Sequence, residues 1–335
     1  MIPMFEVAED LPTWEEVAGE ADWSALLLGN GFSRNIWERF GYMSLFDTAC
    51  SEELEDKLNH EDIDLFEHLD THNFEAVLSA LSTAITITKA LGHDSDFLCR
   101  RMNSIRQALI SAVYSVHLPW VEFTNDRRDR IVATFAKFKS VYSTNYDLLT
   151  YWSVMYDPGE FKDFFWSERF DITDTEIWGK CTKVLYLHGG LHLYRRPTGQ
   201  TLKRSAEPFQ NLLELFAQPF GDAVPLFVSE GTSEEKKASI YRSEYLSFAF
   251  SRFSVDAGPI VVFGQSLGDA DQHLVDALRA RKGRSIAISI KRHGQSIRQR
   301  KAELIAALPD SELYFFDAET HPLGAVDLRV EEDPE

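Results

Sequence analysis

Four short segments of the sequence carry side chains that can bind or activate a nucleotide. Their residues are Gly29-Asn30-Gly31-Phe32-Ser33, Thr144-Asn145-Tyr146-Asp147, His188-Gly189 and Gly264-Gln265-Ser266. Glycines let backbone amides approach a phosphate closely, while serine, asparagine and aspartate form hydrogen bonds with ribose or water. Histidine can act as a general base near neutral pH. These residue types suit the binding and cleavage of a nucleotide.

Each segment also has a structural interpretation. The glycines of the 29–33 segment can serve simply to form a tight turn, without binding a ligand. Threonine, asparagine and aspartate are common first residues of helices, so the 144–147 segment can be a helix cap. Asp269 or Asp271 can cap a later helix in the same way. His188 can be a histidine that is hydrogen-bonded within the core.

The spacing of His188 and His192 raises the alternative of a metal pair. No glutamate follows His188 directly, and the glycines between the two histidines disfavour the helix on which such pairs usually stand. We therefore expect no metal at this position.

A short apolar run precedes each of the four segments, which is typical of a buried strand ending in a loop. Further runs of this kind occur later in the chain, and the full set is 25–28, 141–143, 184–187, 225–228, 259–263, 285–290 and 313–316. Helical patterns separate several of them, at 128–137, 234–250, 271–281 and 296–307. This alternation predicts an α/β fold, a Rossmann-like parallel sheet with helices on both faces. The loops at the carboxyl ends of the strands, including 229–232, should then converge on one cleft.

Residues 45–138 have a different character. Glycine is nearly absent, and apolar residues recur at helical spacing, as in Phe74, Val77, Leu78 and Leu81. We expect a helical insertion after the first strand, within a single domain that covers residues 1–335.

Composition excludes several classes of protein. The net charge of −19 argues against a broad nucleic-acid-binding face, although a small basic pocket remains compatible with it. The three cysteines are far apart, which excludes a disulfide framework and a cysteine-rich zinc site. The first ten residues lack a signal peptide's basic start, and no apolar run would span a bilayer. We expect a cytoplasmic protein that binds neither nucleic acid nor membranes.

The four segments, in this order, resemble the sirtuin pattern over about residues 26–290. That pattern has a Gly-Ala-Gly-x-Ser loop, a Thr-x-Asn-x-Asp loop, a catalytic His followed by Gly, and a late Gly-x-Ser loop. Three features are more similar to the sirtuin-like domains of bacterial anti-phage defence proteins than to protein deacylases. They are the sequence Thr-Asn-Tyr-Asp, the Gly-x-Ser-Leu-x-Asp-x-Asp motif of 264–271 and the insertion with Asn73-Phe74-Glu75.

The sequence departs from the sirtuin pattern at three points. Asn30 stands where alanine is usual, and Tyr146 stands where an aliphatic residue is usual near the expected nicotinamide pocket. The paired zinc cysteines of the deacylases are absent from the sequence. Because that zinc module supports the peptide-binding cleft, its absence disfavours a deacylase.

The resemblance implies an NAD⁺ hydrolase that releases nicotinamide and ADP-ribose, with NAD as substrate and no metal. Asn145 would orient the ribose hydroxyls or the attacking water, and His188 would act as the general base. The remaining binding residues form two sets: Gly29, Asn30, Gly31 and Ser33 for the pyrophosphate, and Thr144, Asp147, Gly264 and Ser266 for the rest of the dinucleotide. Within the second set, Asp147 would bind the carboxamide, and Gly264 and Ser266 the adenosine ribose.

Two other functions fit the same loops. One is a non-catalytic sensor that binds NAD or ADP-ribose, and the other is a protein deacylase. An uncontrolled NAD⁺ hydrolase would harm its own cell, so we expect control by homo-oligomerisation or by a separate sensor or ATPase subunit. The helical insertion can provide the surface for such contacts, or it can simply pack on the sheet.

Overall fold

Apolar runs ending in polar loops form the strands of a mixed α/β structure. The computed structural model describes residues 9–41, 44–176, 180–206, 211–228, 231–292 and 296–331. Within these ranges the strands, β1 to β10 in chain order, are Ala25–Leu28, Ser140–Ser143, Phe161–Lys162, Thr182–Tyr186, Gly189–Arg195, Thr201–Lys203, Val224–Phe227, Ile260–Phe263, Ser285–Ile290 and Glu312–Asp317.

Seven of these strands form one central sheet in the spatial order β10-β9-β8-β1-β2-β4-β3. Every pairing in this sheet is parallel. Strands β1, β2 and β8 are buried along their whole length, which explains why they are continuously apolar or small rather than alternating. The predicted Rossmann-like fold class is confirmed.

Helices pack around this sheet. In chain order, α1 to α13 are Trp14–Ala18, Asn30–Ile36, Leu45–Ala49, His60–His68, Phe74–Ala90, Asp96–Val116, Asn125–Phe135, Leu149–Tyr156, Leu212–Phe216, Ser233–Tyr241, Glu244–Val255, Gln272–Arg279 and Ile297–Ala307. No described helix combines the length and apolar character needed to cross a bilayer.

Helices α3 to α7 lie between β1 and β2, in the part of the chain where the sequence predicts an insertion. The longest two, α5 and α6, pack against each other. The Asn73 side chain caps α5 by accepting a hydrogen bond from the Glu75 amide at 2.9 Å. The buried Glu75 carboxylate pairs with Arg195 on β5, so this contact ties the helices to the rest of the chain.

The prediction that residues 225–228 belong to the parallel sheet is wrong. Strand β7 instead pairs antiparallel with β5, and β5 pairs antiparallel with β6, in a separate three-stranded sheet. An apolar run indicates burial but not its partner strand, and β5 was missed because it begins with Gly189-Gly190. Of the 229–232 loop that follows β7, Ser229 and Glu230 lie outside the described residues.

The helix predicted over 234–250 is two helices, α10 and α11. The break lies at Ser243, whose backbone is extended and whose side chain accepts a hydrogen bond from the Leu246 amide at 3.3 Å. Serine is a favourable helix N-cap, so it begins a new helix inside what is otherwise a continuous apolar pattern.

Candidate functional site

The four predicted segments begin at one edge of the central sheet. Leu28 of β1 is paired in register with Phe263 of β8 and with Ser143 of β2, and Ser143 is paired with Tyr186 of β4. The four neighbouring strands therefore end level. The chain leaves β1 towards β2 on one side, and β8 to β10 lie on the other, so this edge contains the switch point at which α/β sheets commonly bind ligands.

The loops after β1 and β8 are in direct contact. The Gly31 amide donates a hydrogen bond to the Gly264 carbonyl at 2.7 Å, and the Gly29 amide donates to the Phe263 carbonyl at 2.9 Å. A Cβ at Gly31 would lie 2.7 Å from the Gly264 Cα, and one at Gly29 would lie 2.5 Å from the Gln265 Cα. These glycines are required for the two backbones to pass so closely.

Replacing Gly264 with alanine is expected to destabilise the fold by about 2–4 kcal/mol. Its φ of +69° disfavours a side chain, and the added Cβ would lie 2.4 Å from the Phe32 nitrogen. Gly283→Ala is the matched control, because Gly283 has a φ of +71° and open space around it. Urea unfolding of both variants measures the difference, and equal losses would contradict the close packing of the two loops.

A cleft of about 490 Å³ opens over this contact. Four of the predicted binding residues line it: Asn30, Gly31, Gly264 and Ser266. Three cationic side chains, Arg34, Lys291 and Arg300, line it as well, against one acidic side chain, Glu319. Arg300 also forms an ion pair with Glu303 at 3.2 Å, so the excess is small. In a chain with a net charge of −19 even this local excess of positive charge favours an anionic ligand.

Asn145, Ser33 and Asp147 form a buried hydrogen-bonded network beneath the β1–α2 turn. The Asn145 Nδ2 donates to the Gly29 carbonyl at 3.1 Å and to the Ser33 hydroxyl at 2.8 Å, and that hydroxyl donates to the Asp147 Oδ2 at 2.5 Å. The network uses both amide hydrogens of Asn145. Its Oδ1 is buried and has no hydrogen-bond partner.

Burial raises the pKa of the Asp147 carboxyl to about 6. Hydrogen bonds from the Ser33 hydroxyl and the Leu149 amide oppose this rise. The second of these bonds, at 2.9 Å to the Asp147 Oδ1, lies at the start of α8. Asp147 thus contacts the first amide of α8 from the residue before the N-cap, Leu148, and α8 has no side-chain bond at the N-cap itself.

Thr144 joins the second predicted segment to the fourth. Its hydroxyl donates to the Leu28 carbonyl at 3.0 Å and accepts a hydrogen bond from the Gln265 Nε2 at 3.2 Å. The neighbouring Ser266 is exposed, and its carbonyl accepts a hydrogen bond from Arg300. Ser266 is thus accessible to a ligand, whereas the Ser33 hydroxyl is already engaged within the protein.

His188 lies just beyond the end of β4, and Asn145 lies just beyond the end of β2, the strand paired with β4. Asn145 and His188 each stand two residues beyond a register-paired residue, Ser143 and Tyr186 respectively. The His188 ring is 3% exposed, and its Nε2 lies 2.8 Å from the Nε2 of His273 on α12. Burial, followed by the neighbouring His273 and Lys236, lowers the pKa of His188 well below its ordinary value, so the ring is neutral.

His273 extends this contact to a serine. Its Nδ1 lies 3.0 Å from the Ser233 hydroxyl, which also accepts a hydrogen bond from the His273 backbone amide at 2.8 Å. Burial lowers the pKa of His273 to about 4. Neither His273 nor Ser233 was predicted from the sequence, because α12 and α10, which carry them, are brought to the end of β4 only by the tertiary fold.

Asp271 completes the only described group of three potential metal ligands, with His188 and His273. Their ligand atoms lie within 4.8 Å of one another. However, the Lys236 ammonium donates to the Asp271 Oδ1 at 2.9 Å, and a cation at this position opposes a second cation beside it. The contact between the two Nε2 atoms has the length of a hydrogen bond. The sequence predicted that Asp269 or Asp271 caps the following helix, and this is wrong, since α12 and the turn before it have no side-chain cap bond.

The structure places the predicted site residues in three groups. Asn30, Gly31, Gly264 and Ser266 line the cleft; Ser33, Asn145 and Asp147 lie in the network beneath it; and His188 contacts His273. Gly29 and Thr144 connect the first two groups. The cations Arg34, Lys291 and Arg300 were missed: Lys291 directly follows β9, whereas Arg34 lies on α2 and Arg300 on α13. The ligand-binding and catalytic roles of all these residues stay predictions.

A family model for a domain of unknown function, DUF4917, matches residues 26–323. The match covers most of the chain and includes all four segments, so the protein belongs to the DUF4917 family. No curated protein matches the sequence.

Proposed function

We propose that this DUF4917 protein is an NAD⁺ hydrolase that cleaves the bond between nicotinamide and ribose. The observation that carries the proposal is the buried, unpartnered Oδ1 of Asn145 beneath the β1–α2 turn. A buried polar atom without a partner is uncommon in proteins and calls for a ligand or another explanation. Here it lies at the sheet edge where α/β folds bind nucleotides, one strand away from a neutral histidine.

The cleft over Gly31 and Gly264 supports the binding of the pyrophosphate and adenosine. The amides of Gly31 and Gly264 are hydrogen-bonded within the protein, so the binding of an anion here relies on the positive charge of Arg34, Lys291 and Arg300. Ser266 is exposed in the same cleft and can form a hydrogen bond with the ribose of adenosine. The nicotinamide end of the dinucleotide would then extend towards Asn145 and His188.

Little acid catalysis is required for this cleavage. The nicotinamide ring nitrogen is cationic in NAD⁺, so the leaving group departs as a neutral molecule. Positive charge then develops on the ribose, as in other oxocarbenium-like transition states. The protein must orient the ribose and deliver a water molecule to the sugar carbon.

Asn145 and His188 can supply these two functions. The Asn145 Oδ1 accepts a hydrogen bond from a ribose hydroxyl or from the attacking water, while Ser33 and the Gly29 carbonyl hold the amide in one orientation. His188 is neutral and so retains a lone pair that can accept a proton from that water or hydroxyl. In this account Ser33 and Asp147 act by holding Asn145 rather than by direct contact with the dinucleotide.

A sensor that binds NAD or ADP-ribose without cleaving it is the second candidate. The observation that favours it is the burial of the His188 ring against His273, together with a cleft lined by neither Asn145 nor His188. A ligand could occupy that cleft without reaching the histidine.

Incubation of the purified chain with NAD⁺ distinguishes the candidates. Chromatography would quantify nicotinamide and ADP-ribose, and calorimetry would measure binding in parallel. Release of both products supports the hydrolase, and binding without release supports the sensor. Nicotinamide release only in the presence of an acyl-lysine peptide would identify a deacylase. Absence of both binding and release would contradict the hydrolase and the sensor alike.

The same proposal gives the protein a biological setting. Depletion of NAD⁺ would abort phage infection of a bacterial cell, as the resemblance to sirtuin-like defence domains implies. Such an enzyme would act in the cytoplasm and would be restrained until infection, by self-assembly or by a separate sensor or ATPase subunit. Light scattering of the active protein tests self-assembly, and full activity in a strict monomer would contradict it.

A further inference from the structure

We propose that His273 is a positioning residue that holds His188 in the tautomer required of a base. This inference rests on the proposed hydrolase function. Three groups form a hydrogen-bonded chain. The His188 Nε2 lies 2.8 Å from the His273 Nε2, and the His273 Nδ1 lies 3.0 Å from the Ser233 hydroxyl. Both histidine residues are almost fully buried, at 3% and 2% exposure.

The positions of the hydrogens follow from the number of donors in the chain. Only one of the two facing Nε2 atoms can carry a hydrogen when both rings are neutral. If the His273 Nδ1–H donates to the Ser233 oxygen, the His273 Nε2 is an acceptor and His188 carries its hydrogen on Nε2. The Nδ1 of His188 then retains a lone pair that does not face His273.

The opposite arrangement would disable His188 as a base. If the Ser233 hydroxyl donates to the His273 Nδ1, the His273 Nε2–H donates to His188. His188 then carries its hydrogen on Nδ1, and its one lone pair is occupied by His273. The Ser233 oxygen already accepts a hydrogen bond from the His273 backbone amide at 2.8 Å, and a hydroxyl oxygen can accept a second one. The first arrangement is therefore compatible with the observed contacts and with proton transfer to the His188 Nδ1.

Neighbouring groups hold the His273 ring in place. Its centroid lies 5.9 Å from that of Phe250, and its backbone amide is fixed by Ser233. Asp271, two residues earlier, is held by Lys236 at 2.9 Å, which fixes the start of α12. His273 thus has few alternative positions, as a residue that orients another side chain requires.

Two substitutions at residue 273 separate positioning from packing. His273→Phe keeps an aromatic ring but removes the acceptor, whereas His273→Gln places an amide oxygen near the position of Nε2. We expect kcat to fall about 10- to 100-fold in His273→Phe, with KM for NAD⁺ changed less than about 2-fold, and to recover largely in His273→Gln. An unchanged kcat in a folded His273→Phe, or equal losses of kcat in both variants, would contradict the positioning role.

A measurement without turnover tests the tautomer itself. Long-range ¹H–¹⁵N correlations of the ¹⁵N-histidine-labelled chain, with His188→Asn to assign the signal, should show His188 protonated at Nε2. This preference should weaken in His273→Phe. Protonation at Nδ1 in the unsubstituted protein would overturn the inference, as would stoichiometric zinc that is lost in His273→Phe. If the protein does not hydrolyse NAD⁺ at all, the proposed function fails while the tautomer still decides this inference.

Discussion

Asn145→Ala and His188→Ala are each expected to lower NAD⁺ turnover by about 100-fold or more, a typical acid–base contribution. The first substitution removes the only unpartnered acceptor of the buried network, and the second removes the neutral base on the adjacent strand. Because neither side chain lines the cleft that would bind the adenosine end, the affinity for NAD⁺ should change much less than kcat. Initial rates of nicotinamide release and calorimetric titration measure the two quantities.

Matched controls are available in the helical part of the chain. Asn103 on α6 and His93 before it are exposed, so Asn103→Ala and His93→Ala make the same chemical changes away from the sheet edge. Both should retain the turnover of the unsubstituted protein. Full turnover in folded Asn145→Ala and His188→Ala would remove the catalytic assignment of these two residues.

Asp147→Asn is expected to change the pH dependence of stability. The folded state raises the pKa of Asp147 from 3.8 to about 6, so the folded chain holds this proton more tightly than the unfolded chain. The unsubstituted protein should therefore lose stability, relative to Asp147→Asn, as the pH rises from about 4 to about 7. The pKa difference corresponds to about 3 kcal/mol, because each pKa unit contributes about 1.4 kcal/mol.

Urea unfolding of both proteins at several pH values measures this difference. Asparagine cannot ionise, so the other titrating groups largely cancel when the two unfolding free energies are subtracted. Asp56→Asn serves as the control because Asp56 is exposed. A difference between the Asp147→Asn and unsubstituted proteins that is constant with pH, or that changes in the opposite direction, would contradict the buried position of Asp147 in the network.

The sequence was most informative where burial alone determines the pattern. The runs at 25–28 and 259–263 are apolar because β1 and β8 are covered on both sides, and glycines 29, 31 and 264 are required where their loops touch. The sequence did not show in the same way which strands pair with each other. The run at 225–228 has an equally apolar pattern, but β7 lies in the antiparallel sheet, and a single serine, Ser243, divides one apparent helix into two.

The candidate site shows the same division. Segments that directly follow strands were predicted because strand ends meet at one edge of a parallel sheet. His273 and Ser233 were missed because they approach His188 from helices α12 and α10, and no spacing in the sequence encodes that contact. Ser33 was expected to contact a phosphate, yet its hydroxyl joins Asn145 to Asp147.

A structure of the His188→Ala variant with NAD⁺ bound tests the central claim most directly. We predict the pyrophosphate in the cleft over the contact of Gly31 with Gly264, and a nicotinamide ribose hydroxyl or water within about 2.6–3.2 Å of the Asn145 Oδ1. A dinucleotide bound elsewhere on the molecule, or one whose nicotinamide ribose points away from Asn145, would contradict the claim.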